Sequence, residues 1–124
     1  MLLNNGEYNG LRILKENTVK LMTMNHFPNN TSVQGMRFIK ITDPEWIWWD
    51  IEHGMGLGVA VKIKNNITKK SIGSHLWEGV LNTHYWIDPK KEVIFIILTQ
   101  YWFHDFLPPF DLNKIENLVY TAID

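Results

Sequence analysis

The sequence contains no cysteine. Disulfide staples and thiolate metal sites are thereby excluded, because both need the cysteine sulfur. Long apolar runs are missing too. The longest, residues 93–98, falls far short of the roughly 18 residues of a membrane-spanning helix and suits a strand. Nor is there a dominant charge: 12 Lys and Arg stand against 13 Asp and Glu, a formal net charge of −1. A nucleic-acid partner normally requires a basic face, so no such partner is expected. The opening Met-Leu-Leu-Asn-Asn-Gly-Glu lacks a positive segment followed by an apolar one, so no signal peptide is read.

Aromatic mass is what the chain has in plenty. Six tryptophans fall within 124 residues, and 45% of the chain is hydrophobic. Large aromatics bury much area each, so a core can be built. The length suits one domain or part of one.

Asn4-Asn5-Gly6 and Asn9-Gly10 are turn signals, and Leu2-Leu3 before them reads as the tail of a helix. Val19 and Met22 on one face predict a short amphipathic helix over 16–25. Residues 26–53 show little pattern and hold Asp43-Pro44, Trp46, Trp48 and Trp49. A loop of that length is usually functional or held against a partner surface. From Gly54 the period becomes two: Leu57, Val59, Val61 and Ile63 alternate with Gly58, Ala60 and Lys62. That pattern predicts a strand over 57–63 with one apolar face. Further strands are predicted over 72–80, 82–87 and 92–99, with turns at Asn65-Asn66 and Asp88-Pro89-Lys90-Lys91. The last strand is apolar on both faces, which predicts a central place in its sheet. Short connections predict antiparallel neighbours. Asp111 is the expected N-cap of a closing helix, with Leu112, Ile115, Leu118, Val119, Ala122 and Ile123 as its sheet-facing stripe. The expected fold class is α+β: an antiparallel sheet of about four strands with a C-terminal helix on one face.

Residues 73–89 carry the candidate chemistry. Their spacing predicts a hairpin with aromatic cross-strand pairs. Gly79, inside a strand pattern, signals close approach of another backbone or a ligand. Gly54-Met55-Gly56-Leu57-Gly58 is not a dinucleotide loop, since a strand follows it and not a helix. The histidines at 26, 53, 75, 84 and 104 match no zinc spacing, so neither metal nor cofactor is expected.

Several segments resemble the C-terminal part of the penicillin-recognising serine hydrolases, which include class C β-lactamases, DD-peptidases and related esterases and transesterases. Leu2-Leu3-Asn4-Asn5-Gly6-Glu7-Tyr8-Asn9-Gly10 resembles one such segment, and Asn17-Thr18-Val19-Lys20-Leu21-Met22 the helix after it. Gly54-Met55-Gly56-Leu57-Gly58 resembles a strand entry. Trp77-Glu78-Gly79 stands where that family has Lys-Thr-Gly, His-x-Gly or Trp-x-Gly; Trp86-Ile87-Asp88-Pro89 and Leu98-Thr99-Gln100 follow in the family's order.

The resemblance implies an acyl-enzyme mechanism in which the serine of a Ser-x-x-Lys motif attacks, while lysine and tyrosine handle the proton. It implies that Gly79 lets substrate lie along the strand and that Trp77 lines the pocket. The Val80 N–H would be one of two oxyanion donors, worth roughly 3 kcal/mol of barrier. Glu78 departs from the hydroxyl residue of β-lactamases. It would repel an anionic substrate, which favours the esterase branch, or it would turn to the strand's other face. Nucleophile and base are missing: none of Ser32, Ser71 and Ser74 has lysine three residues on, and none of Tyr8, Tyr85, Tyr101 and Tyr120 starts Tyr-x-Asn. The expectation is therefore a single partial domain, 1–124, forming one active-site wall and inactive alone. A small acyl substrate belongs only to the intact enzyme. The partner would be the N-terminal portion or a second copy, with no nucleic acid and no membrane span. The compartment stays open, bacterial cytoplasm or periplasm for the parent. The rival reading is a non-catalytic binding or oligomerisation module derived from the same fold.

Overall fold

The structure is a computed structural model, and it describes residues 1–33, 52–65, 68–79, 81–100 and 112–123. The chain begins with a small hairpin, β1 (Glu7–Tyr8) and β2 (Leu11–Arg12). Asn9 (φ 50°) and Gly10 (φ 75°) form its turn. Both lie in the left-handed region, which asparagine and glycine tolerate and which a tight two-residue hairpin requires. Helix α1 (Glu16–Met22) follows, then a short 3-10 turn at Pro28–Asn30.

The main sheet has five strands in the order β3 (His53–Met55), β4 (Ala60–Lys62), β5 (His75–Glu78), β6 (His84–Asp88), β7 (Val93–Ile97). Every neighbouring pair is antiparallel. The α+β class, the antiparallel sheet and the closing helix α2 (Leu112–Ile123) are as the sequence led us to expect. The strand number is not. The strand predicted over 57–63 is interrupted by a turn, in which Gly56 N–H donates to the Val59 carbonyl at 2.8 Å and Gly58 has φ 84°. Alternation across 57–63 hid that turn, because the apolar Leu57 sits on its exposed tip.

The last strand corrects a second expectation. Among the described residues β7 is an edge strand, not a central one. Its two faces are apolar for different reasons. Phe95 stacks on Trp86, ring centroids 4.1 Å apart, beneath α2. Ile94 and Ile96 on the opposite face are exposed. An unbroken apolar run reports two apolar faces; it does not report that this chain covers both.

Ala60, Leu76, Trp86 and Tyr120 form the buried core between sheet and α2, with Phe95, Leu112 and Val119 packed against it. The stripe on α2 differs from the expected one. Glu116 and Tyr120 are the buried positions, whereas Leu118 and Ile123 are exposed. Both buried polar groups are satisfied, as burial demands. Glu116 pairs with the Lys70 ammonium, and Tyr120 Oη donates to Asp88 Oδ2 at 2.9 Å. Asp88 Oδ2 also accepts from Ser71 N–H at 2.9 Å. Burial by itself raises the Asp88 pKa, but the hydrogen bonds from Ser71, Tyr120 and Lys91 outweigh it and hold the carboxyl below its ordinary value. A second buried pair lies nearby: Lys62 Nζ sits 3.5 Å from Glu52 Oε2 and donates to Thr68 Oγ1 at 2.7 Å. Burial lowers the Lys62 pKa against the pull of Glu52.

Helix α1 meets the β3–β4 end, where Leu57 N–H donates to the Met22 carbonyl at 2.9 Å. Asn25 fastens this corner: its Oδ1 accepts from Met55 N–H at 3.0 Å and from Phe27 N–H at 3.1 Å.

Candidate functional site

Strand alternation decides what lies on each side of β5–β7. The register sets Leu76 opposite Trp86 and Trp86 opposite Phe95, all beneath α2. It sets Trp77 opposite Tyr85 and Tyr85 opposite Ile96, so these three share the other face. There they line a groove of about 260 Å³ with Glu78, Gly79, Thr83, His84 and Leu98.

Trp77, Glu78 and Gly79, the site residues read from the sequence, thus meet in one groove. Val80 lies outside the described residues, as do Trp46, Trp48, Trp49, Asp111 and the aromatic stretch from Tyr101. Trp77 is 39% exposed, and its ring faces the groove without cover from α2.

Glu78 contributes to the lining of the groove. It shares parity with Leu76, so its side chain leaves the strand on the α2 side and reaches the groove at the rim. Its cross-strand neighbour is His84, with His84 Nδ1 and Glu78 Oε2 3.4 Å apart. Burial, assisted by the Lys70 charge, pushes the His84 pKa down to about 4. At neutral pH the ring is therefore uncharged, and the contact joins a carboxylate to a neutral imidazole. It is not an ion pair, although its distance would allow one.

Gly79 has a structural reason as well. Its N–H donates to the Thr83 carbonyl at 2.8 Å, and its carbonyl accepts from Asn82 N–H at 3.0 Å. A Cβ at Gly79 would collide with the Thr83 hydroxyl. The close approach signalled by this glycine is thus made by the β5–β6 turn itself. The Thr99 hydroxyl braces that turn, 2.6 Å from the Leu81 carbonyl and 2.8 Å from that of Asn82.

Thr83, His84, Tyr85, Ile96 and Leu98 were not singled out from the sequence. Hairpin parity would have found Tyr85 if the turn length had been legible. Among the described residues no serine or lysine lines the groove. It can therefore cradle an apolar group against the Trp77 and Tyr85 rings. Among the described residues, no three His, Asp or Glu side chains gather to hold a metal. No helix among the described residues is long and apolar enough to cross a membrane.

The fold is shared with a protein of known structure. The solved structure of EstCE1, a hydrolase with promiscuous acyltransferase activity, superimposes on 95% of this chain with a TM-score of 0.66 and 23% identity. The chain spans only 26% of that protein's length. No protein-family model and no curated protein matches the sequence.

Proposed function

We propose that the chain is the C-terminal segment, 1–124, of a penicillin-recognising serine hydrolase of the esterase branch. In the assembled enzyme it supplies one wall of the active site: Trp77 as an apolar lining, Gly79 as the turn that keeps the strand end clear, and the Val80 N–H as an oxyanion donor. The nucleophile, from Ser-x-x-Lys, and the tyrosine of Tyr-x-Asn come from the portion of the hydrolase outside these residues. The reaction is acyl transfer. The serine hydroxyl adds to an ester or amide carbonyl, the alcohol or amine leaves with the proton, and water or a second alcohol takes the acyl group.

One observation carries this reading. Trp77, Glu78 and Gly79 converge on a groove on the uncovered face of the sheet, in a chain whose fold matches a quarter of a known hydrolase. Glu78 is the one charged residue of that lining. A carboxylate there disfavours an anionic substrate, so the preferred substrate is a neutral ester.

A second reading, a binding or oligomerisation module, is supported by exposed Ile94 and Ile96 on the edge strand and Leu98 just beyond it. The DNA upstream of the Met1 codon separates the two. In-frame or adjacent coding for Ser-x-x-Lys and then Tyr-x-Asn supports the hydrolase. That segment, produced separately and mixed with this chain, should hydrolyse p-nitrophenyl acetate, with neither half exceeding background alone. Absence of both motifs upstream, or no gain on mixing, leaves the binding module.

A further inference from the structure

Near its start the chain holds two Asn-Gly pairs, Asn5-Gly6 and Asn9-Gly10. Chemically they are the same. In each, the backbone nitrogen after the asparagine belongs to a residue with no side chain to shield it, so it can reach the asparagine side-chain carbon and close a succinimide ring. We propose that Asn9 is a site of spontaneous deamidation and that the fold protects Asn5, so that the folded chain is modified at one pair and spared at the other.

The contacts of the two pairs differ. The Gly6 N–H, whose nitrogen would have to attack, donates to the Met1 carbonyl at 3.0 Å. The Asn5 carbonyl accepts from Arg12 Nη1 at 2.9 Å, and the Gly6 carbonyl accepts from Ile13 N–H at 2.8 Å and Leu14 N–H at 3.0 Å. Gly6 is buried, and a Cβ there would collide with the Leu14 carbonyl. Its peptide therefore has little room to turn. Asn9 and Gly10 are both exposed, and a Cβ at Gly10 would meet nothing within 4 Å. Among the described residues no hydrogen bond holds the Gly10 N–H. Attack requires the Asn9 backbone to swing out of its left-handed turn. The strands on either side are only two residues long, so that opening costs little.

Base removes the Gly10 amide proton, and the nitrogen forms a bond to Asn9 Cγ. The bond from Cγ to the side-chain nitrogen breaks, and ammonia leaves. Water then opens the succinimide at either carbonyl, giving aspartate at position 9 or, with the main chain routed through the side-chain carboxyl, isoaspartate. Overall a water is consumed, an ammonia is released and the chain gains a negative charge. Isoaspartate adds a main-chain carbon to a two-residue turn. The pairing of Glu7 with Arg12, and with it the Arg12 Nη2–Glu7 Oε2 contact at 3.2 Å, should then be lost. The hairpin is separate from the five-stranded sheet, and its chemistry is independent of the hydrolase reading.

Incubation of the 124-residue chain in mildly alkaline buffer, followed by tryptic peptide mapping with mass spectrometry, tests this. Fragment spectra place the amide-to-acid change within the peptide that ends at Arg12. In the folded chain Asn9 should convert about tenfold or more faster than Asn5, whose reaction waits on local opening. In concentrated urea the two should convert at similar rates. Two products of equal mass should separate at position 9, and only the isoaspartate form should accept a methyl group from an isoaspartyl methyltransferase. Conversion at Asn5 as fast as at Asn9 in the folded chain, a ratio unchanged by urea, or no conversion at Asn9 in the time that urea-treated chain reacts, overturns the proposal.

Discussion

The two faces of β5–β7 are built from similar residues and end in opposite circumstances. Under α2, Trp86 lies stacked between Phe95 and Tyr120, and the polar groups around it are matched: Lys70 with Glu116, Asp88 with Tyr120. On the other side Trp77, Tyr85, Ile94 and Ile96 are just as apolar, yet three of the four are markedly exposed. The covered face shows what this chain completes by itself. The open face shows what it offers to something else. A monomer seldom keeps such a patch without using it.

Mutations should expose the contrast. The largest effect is expected from Trp86→Ala, which should cost about 3–5 kcal/mol by emptying the stacked core. Urea denaturation would measure it, and a cost below about 1 kcal/mol would mean that the α2 face is not the core. Glu116→Ala should come close behind, at about 3–5 kcal/mol, because it strands the Lys70 charge in a buried place. Replacing both Lys70 and Glu116 by methionine should recover most of that loss; if the double variant is as unstable as the single one, the pair does more than cancel charge. Tyr120→Phe should cost about 1.5–3 kcal/mol, the usual range for a hydrogen bond to a charged group.

Acidity should add a graded loss. The His84 pKa falls from 6.5 in the unfolded chain to about 4 in the folded one. The unfolded state therefore binds more protons between those limits, and the stability contributed by the neutral ring is present above 6.5 and is lost as pH falls toward 4. The slope is at most about 1.4 kcal/mol per pH unit for this one group. His75 is shifted the same way by burial. His84→Gln should flatten the fall measured by denaturation between pH 6.5 and 4, and an unchanged slope would place the acid sensitivity elsewhere. The smallest change in stability belongs to the open face. Ile96→Ser should move it by less than about 0.5 kcal/mol. It should nonetheless reduce self-association in sedimentation velocity, or weaken assembly with the N-terminal segment of the proposed hydrolase. A large loss of stability would show that the face is covered within this chain.

Much of the architecture was legible where local chemistry leaves one choice. Asn9-Gly10 marked a turn because few other pairs accept positive φ at both positions, and the structure has it there. Short connections at Asp88-Pro89-Lys90-Lys91 marked antiparallel neighbours, and β6 and β7 pair so. Leu57 misled because alternation does not say whether an apolar side chain is packed or merely sits on a turn. Glu116 and Tyr120 escaped notice because a stripe drawn from hydrophobicity leaves out polar residues whose partners are far away, 46 residues in the case of Lys70 and Glu116.

The candidate site divides in the same way. Trp77, Glu78 and Gly79 stood out as residues, by type and by resemblance. That they share a groove with Tyr85 and Ile96 follows from hairpin register, which depends on the exact length of the β5–β6 turn.

The sequence by itself determined the class of fold, the turns at Asn9-Gly10 and Asp88-Pro89-Lys90-Lys91, and the absence of the Ser-x-x-Lys and Tyr-x-Asn motifs, because each rests on residue type or short spacing. Only the tertiary structure decided which apolar face is buried, where Glu78 points and which charges meet. Those depend on contacts between residues far apart in the chain, and hydrophobic burial carries no direction of its own until the strands are placed side by side.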